Sequence, residues 1–164
     1  MGSEETGNVV RHRPPSFDKG NCLEMDVDLS NHGMKGRVEK IWVMPNENGD
    51  YVVACLPFFC YGIQFGDLVA TGAPEVTFRS VIRSVGLRTM RVAFVESAIA
   101  KEQHEAVHAR LIESRLTHEW HRVEYVAILL RGPGDQEAAL AALEPQITKG
   151  LVQWEVDPLP FGEE

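Results

Sequence analysis

One segment of the 164-residue sequence has the residue types and spacing of a metal centre: His104-Glu105-Ala106-Val107-His108. On a helix its two imidazoles lie one turn apart, so they can share a zinc ion while Glu105 activates a bound water. A third ligand would come from just beyond the helix, with the candidates His118, Glu119 and His121. The segment therefore offers one catalytic hypothesis, a small zinc-dependent hydrolase with His104, His108 and His118 as ligands.

Two features of the same segment favour a plainer interpretation. Ser114 stands where the longer metalloprotease motif has its third His. Val107 and Leu111 define the buried stripe of the helix, which leaves both histidines at the border of that stripe. We therefore expect an ordinary helix without a catalytic zinc and without any other cofactor.

Two further clusters carry charge. Arg79 and Arg83 lie on one predicted strand and Arg88 and Arg91 on the next, so four guanidiniums together would bind a carboxylate or phosphate. The favoured alternative is an exposed sheet face balanced by the surplus of acidic residues. The run from His118 to Arg122 could likewise bind an anion or stack on a base, but a solvated connection between helix and strand is the preferred interpretation.

Composition excludes several classes of protein. The net charge of −8 argues against nucleic acid and anionic membranes as partners. No stretch approaches the ~20 consecutive apolar residues of a membrane span, and residues 1–20 contain no apolar core of a secretory signal. The three cysteines, Cys22, Cys55 and Cys60, cannot all pair within one chain, so we expect free thiols in a reducing cytoplasm.

The hydrophobic pattern divides the chain into two halves of one compact unit. Residues 1–21 are polar and Pro-containing, which predicts a flexible segment, and residues 159–164 form a tail. Residues 22–96 alternate with a period of two, which predicts a curled antiparallel sheet or small barrel. Within it, the Asn48-Gly49 pair predicts a tight hairpin between two strands. The core is expected to include large side chains: Trp42, Phe58, Phe59, Ile63 and Phe65.

Residues 97–158 change to a mixed pattern. A helix is predicted over residues 99–116 with Ser97 as its cap, and a second helix over 136–144 that Pro145 interrupts. Strands before, between and after them give the order β-α-β-α-β, which is typical of a ferredoxin-like half. The predicted fold class is therefore α+β.

Several short motifs in the middle of the chain resemble one known family. The strings Leu56-Pro57-Phe58-Phe59 and Gly66-Asp67-Leu68-Val69, with Gly49-Asp50-Tyr51 before them, are similar to the signature of a bacterial family of domains of unknown function. The resemblance covers residues 23–158 and implies a compact α+β domain in the bacterial cytoplasm, with no established activity. The family commonly has a His before a Ser/Thr-Thr pair, whereas this chain has Leu87 followed by Arg88-Thr89.

Three hypotheses for function follow. The leading one is a non-catalytic binding protein that recognises a protein partner or a small ligand, with an immunity or antitoxin role as one form. Such a role would suit an acidic domain that covers a basic partner. The second is the zinc hydrolase using Glu105. The third is an accessory protein of a peptide-modifying or biosynthetic pathway, which docks a substrate on an exposed sheet edge.

Overall fold

A computed structural model describes residues 5–15, 20–72 and 76–158 of the chain. In these ranges there are eleven strands and two α-helices. In chain order they are β1 (Glu5–Thr6), β2 (Val9–Arg11), β3 (Leu23–Asp28), β4 (Val38–Pro45), β5 (Tyr51–Val53), β6 (Leu68–Gly72), β7 (Thr77–Arg83), β8 (Arg88–Phe94), α1 (Ser97–Glu113), β9 (His118–His121), β10 (Tyr125–Leu130), α2 (Pro133–Thr148) and β11 (Val152–Val156). Neither described helix is long and apolar enough to cross a bilayer.

The amino-terminal strands close into a five-stranded barrel of order β4-β3-β7-β6-β5, in which β5 pairs back to β4. Alternate residues of β4, such as Ile41 and Val43, are fully buried inside it because successive side chains of a strand point to opposite faces. Asn46 Oδ1 accepts the backbone N–H of Asn48 and Asp50 in the turn between β4 and β5. The predicted barrel and hairpin are thus confirmed, although β3 and β7 meet in parallel.

Part of the segment predicted to be flexible, residues 1–21, belongs to the same sheet as the barrel strands. Strand β2 runs parallel to β4, and Val10 at its centre is fully buried. His12, which follows β2, is also buried. Residues 1–4 and 16–19 of the segment, and residues 159–164 of the predicted tail, lie outside the described residues.

The second half is a four-stranded antiparallel sheet of order β11-β8-β10-β9. Helices α1 and α2 cover one face through an apolar cluster that includes Val92, Leu111 and Ile128. The opposite face packs on the barrel through a separate apolar cluster: Val10, Leu56, Phe58, Ala127 and Leu129. Strand β8 belongs to this sheet, although the predicted boundary at residue 96 places it in the other half.

Three local expectations for this half were wrong. Strand β9 occupies the stretch expected to be a solvated connection, so the element order is β-α-β-β-α-β. Ser97 does not cap α1, because its hydroxyl donates to Glu124 instead. Helix α2 begins at Pro133, a position that suits proline's fixed φ, and continues past Pro145 with Leu143 and Gln146 both buried.

The segment from Leu56 to Cys60 lies where the barrel packs on the second sheet, here called the junction. Among the predicted core residues, Phe58 and Ile63 are buried, and Trp42, Phe59 and Phe65 are half-buried. Cys55 and Cys60 are buried free thiols, and Cys22 is half-buried. Leu87 packs in the cluster between barrel and sheet.

Candidate functional site

The segment from Leu56 to Cys60 crosses between barrel and sheet without secondary structure, and two buried charged residues satisfy its backbone. Glu39 on β4 accepts the backbone N–H groups of Phe58, Phe59 and Cys60 at 2.6, 2.9 and 3.1 Å. Arg91 on β8 donates to the carbonyl oxygens of Phe58 and Cys60, both at 2.7 Å. The segment is therefore fixed from both sides, because buried backbone groups need hydrogen-bond partners within the protein.

Both charges have a partner of opposite sign. Arg91 forms a buried ion pair with Asp157, which follows β11. Asp157 also accepts a hydrogen bond from Gln64, whose Oε1 accepts the hydroxyl of Thr89 at 2.6 Å. These contacts join the barrel, β8 and the carboxyl-terminal end of the described chain.

Glu39 pairs with His12, whose Nε2 lies 2.7 Å from Glu39 Oε1. The imidazole stacks on Phe58 with ring centroids 4.1 Å apart. Burial alone lowers the pKa of His12, but the carboxylates of Glu119 and Glu39 outweigh it and raise the pKa to about 9. Burial alone raises the pKa of Glu39, but His12 outweighs it and the result is about 2. The pair is therefore ionic at neutral pH.

We expect the free energy of unfolding to be greatest near pH 6.5, the ordinary pKa of His. The folded pKa of His12, about 9, lies above that value, so its stabilisation is present below pH 6.5 and is lost as the pH rises through 9. Burial, followed by the charge of Arg122, lowers the folded pKa of His121 to about 4, so its stabilisation is present above pH 6.5 and is lost as the pH falls through 4.

Urea denaturation from below pH 4 to above pH 9 measures both the acid loss and the alkaline loss of stability. His12 alone should contribute about 3 kcal/mol to the alkaline loss. His12→Gln should lower stability overall but remove most of the slope above pH 6.5. A variant that keeps the full alkaline slope would show that another group causes it.

A cavity of about 770 Å³ opens beside this junction, along β9. Helix α1 forms one wall with His104 and His108. The Leu56–Cys60 segment forms the opposite wall with Leu56 and Phe58. The remaining lining residues come from the amino-terminal segment, the chain between β5 and β6, and β9 with its flanking residues: Arg13, Pro14, Pro15, Ala54, Cys55, Phe65, Thr117, His118, Glu119, Trp120, Arg122, Val123 and Glu124.

Histidines and one tryptophan form the polar centre of the cavity. His108 Nδ1 lies 3.0 Å from His118 Nε2 and accepts the indole N–H of Trp120 at 3.1 Å. The His104 ring packs on Trp120 with centroids 4.1 Å apart, and its buried Nδ1 has no hydrogen-bond partner among the described residues. Burial, more than the neighbouring His108, lowers the pKa of His104. Burial also lowers the pKa of His118, against the effect of its bond to the Leu116 carbonyl.

The acidic residues of the cavity already have hydrogen-bond donors. Glu119 accepts the backbone N–H of Leu56, and Glu124 accepts the hydroxyl of Ser97 at 2.6 Å. Arg13 and Arg122 are exposed at the rim. A ligand would therefore meet aromatic walls, imidazoles and two guanidiniums.

The predicted site residues fall into two groups. The structure brings His104, His108 and His118 together, whereas Glu105 is exposed and does not line the cavity. No three His, Cys, Asp or Glu side chains in the described part of the chain are arranged to hold a metal ion.

The four arginines do not form one face. Arg79 and Arg83 are exposed on barrel strand β7, whereas Arg91 is buried in the second sheet. Arg88 donates to the backbone carbonyl of Asp157 at 2.7 Å. The predicted adjacency was wrong because β8 pairs with β10 and β11 and not with β7.

Two residues of the junction were missed at the sequence level. His12 lies in a segment whose composition indicates disorder, so nothing local marked it. Glu39 had a signal, since the alternation of β4 places it on the same face as Ile41 and Val43. A carboxylate on an apolar face predicts a buried partner.

Comparison with known proteins identifies a family. A family model described as a domain of unknown function, DUF4265, matches residues 39–154. No curated protein matches the sequence. A crystal structure of a hypothetical protein from Neisseria gonorrhoeae is similar over 88% of this chain and 99% of its own, with 13% identity and a TM-score of 0.59. At that identity the likeness concerns the fold alone.

Proposed function

The chain belongs to the DUF4265 family of domains of unknown function, and we propose that it is a non-catalytic binding protein that takes a small ligand into the cavity beside β9. The observation that carries the proposal is the cavity itself, about 770 Å³ with mostly apolar walls and a few convergent polar groups. Small-molecule sites in proteins have this size and composition.

The lining favours a ligand with an aromatic body and one acidic group. Trp120, Phe58 and Phe65 offer ring surfaces for the body. Arg13 and Arg122 at the rim offer guanidiniums to a carboxylate or sulfonate. The acidic neighbours Glu119 and Glu124 repel such a group less than free carboxylates would, since each accepts a hydrogen bond.

A small ligand is favoured over a protein partner, including the immunity or antitoxin role. A large contiguous exposed apolar patch is a common mark of a protein interface. The exposed large apolar side chains of the described residues are distributed over separate elements: Tyr61, Ile82, Val85, Val95, Ile112 and Trp154.

The fluorescent probe anilinonaphthalene sulfonate, an aromatic sulfonate, tests the proposal. We expect saturable binding of one probe per chain, because its rings and sulfonate match the walls and rim. Thr117→Trp places a bulky ring at the cavity and should weaken binding by about tenfold or more. Ser80→Trp, at another exposed position on β7, is the matched control and should leave binding unchanged.

The same titration has a clear negative result. Equal affinity in both tryptophan variants, at unchanged melting temperature, would place the probe elsewhere on the protein. Absence of saturable binding to the folded wild type would remove the basis of the proposal.

An extended peptide is the second candidate ligand, and the edge of β9 favours it. Within the described residues β9 pairs only with β10, so its other edge has no strand neighbour. A peptide could add a strand there, as in the docking role of an accessory protein. Protection of β9 amides from hydrogen exchange by a peptide, but not by the aromatic probe, would distinguish the two.

Two finer features belong to the same proposal. The second half is assigned to the ferredoxin-like class, supported by its β-α-β-β-α-β order and antiparallel sheet. A reducing cytoplasm is the assigned compartment, supported by the buried free thiols of Cys55 and Cys60.

A further inference from the structure

Strand β11 forms one edge of the second sheet, and among the described residues it pairs only with β8. The carbonyl of Leu151 and the N–H of Asp157, on either side of β11, both form hydrogen bonds toward β8. The direction of these groups alternates along a strand, so the N–H and carbonyl groups of Val152, Trp154 and Val156 point outward. The outer edge therefore presents a row of main-chain donors and acceptors that no described strand pairs.

This edge lacks the usual protection against pairing. Edge strands are commonly blunted by Lys, Pro or a bulge. Strand β11 contains neither Lys nor Pro, and its register with β8 shows no bulge. Its three central residues, 153–155, are exposed, and Trp154 keeps 41% of its surface in solvent. Such an edge is a template for another strand.

The residue order of β11 identifies the strand that fits it. The sequence Val-Gln-Trp-Glu-Val is symmetric about Trp154 in the class of its side chains. If two copies pair antiparallel about this residue, Val152 lies opposite Val156 and Gln153 lies opposite Glu155. The outward main-chain groups make the Trp154 pair a hydrogen-bonded one, so the Gln–Glu pairs are the closer type, with adjacent side chains. The Gln153 amide of each copy can then donate to the Glu155 carboxylate of the other.

The neighbouring registers fit less well. A pair centred on Glu155 would place two carboxylates directly opposite each other, which is destabilising. A pair centred on Gln153 would place each Glu155 opposite Leu151, which has no side-chain donor. The register centred on Trp154 is therefore the one that both the side chains and the main chain favour.

We propose that β11 is a homodimerisation edge, where two copies of this chain pair antiparallel about Trp154 and join their second sheets into one of eight strands. The interface is isologous, with the same residues contributed by each copy. Main-chain hydrogen bonds provide the affinity of strand addition, so no wide apolar patch is needed. The inference goes beyond ligand binding and does not depend on it, because the cavity lies along β9, at the opposite edge of the sheet.

Sedimentation velocity of the full chain over a range of protein concentrations tests the proposal. The mass should rise from 18.3 kDa toward twice that value as the concentration increases. Gln153→Glu places carboxylates opposite each other at both Gln–Glu pairs and should weaken association about tenfold or more. Adding Glu155→Gln to this variant exchanges the two residues and should restore dimerisation. Gln136→Glu, the same change of charge on α2, is the matched control and should associate as the wild type does.

Hydrogen exchange locates the interface independently of mass. The amides of Val152, Trp154 and Val156 point outward, so they should exchange fast in dilute protein and become protected as the concentration rises. The amides of β9, at the other edge, should not change. Trp154→Pro removes one outward N–H and no hydrogen bond to β8, so it should give a folded monomer.

Two kinds of result would overturn the proposal. One is a monomeric mass for the wild type at the highest protein concentration. The other is a dimer formed elsewhere, shown by dimers that persist in both Gln153→Glu and Trp154→Pro or by protection that is absent from β11. Either result would leave the small-ligand proposal standing, since probe binding is measured separately.

Discussion

Replacing Arg91 with Met should lower the free energy of unfolding by about 3–5 kcal/mol, the range for breaking a buried ion pair from one side. The guanidinium donates to three carbonyl oxygens of the Leu56–Cys60 segment, those of Phe58, Cys60 and Pro57, and pairs with Asp157. Met fills a similar volume but donates nothing, so the buried Asp157 carboxylate loses its countercharge and the Phe58 and Cys60 carbonyls each lose a charged donor. Urea denaturation measures the loss.

Arg79→Met is the matched control for this change. Arg79 is exposed on β7, and exposed substitutions of this kind usually change stability by no more than about 0.5 kcal/mol. A loss of under about 1 kcal/mol for Arg91→Met would mean that water enters the junction and solvates these groups.

Glu39→Gln should produce a loss of similar size, about 3–5 kcal/mol. Its carboxylate accepts three backbone N–H groups and pairs with His12. An amide keeps one acceptor oxygen and turns its NH₂ toward the remaining donors. The substitution therefore removes the nearer of the two carboxylates that stabilise the buried, protonated His12.

Glu24→Gln is the corresponding control on β3. Glu24 pairs with Arg11 at 2.7 Å, but both side chains are partly exposed to solvent. Exposed ion pairs contribute about 0–1 kcal/mol. Equal losses for the two glutamine variants would show that the Glu39 pair is as well hydrated as the surface pair.

The local fold could be predicted from the sequence wherever a pattern repeats over several residues. The alternation of Met25 and Val27 on β3 and the apolar run of β10 both correspond to observed strands. Strand β9 was missed because it has four residues, three of them ionisable, and so carries no apolar alternation. Its pairing with β10 is a tertiary effect.

Part of the candidate site could be predicted from the sequence. The spacing of His104 and His108 predicts that they share a helix, and His118 was named as their neighbour. The spacing of residues could not predict two features of the cavity. Its rim includes Arg13, and its wall opposite α1 is the Leu56–Cys60 segment at Phe58. Both depend on contacts between residues far apart in the chain.

The arginine prediction failed for the same reason. Proximity in the sequence suggested that Arg83 and Arg88 lie on neighbouring strands, but the chain leaves the barrel between them. Which strand pairs with β8 is decided by the apolar face that packs on α1 and α2. The turn at Gly86 has no feature that reports this change of sheet.

Nuclear magnetic resonance of isotope-labelled protein during titration with anilinonaphthalene sulfonate tests the small-ligand claim most directly. We predict that the perturbed backbone resonances lie along β9, on the His104–His108 side of α1 and at residues 13–15, because these line the cavity. The strand β7 resonances should stay fixed. Perturbations centred on β7 or on the exposed Trp154, or no perturbation at saturating probe, would contradict the claim.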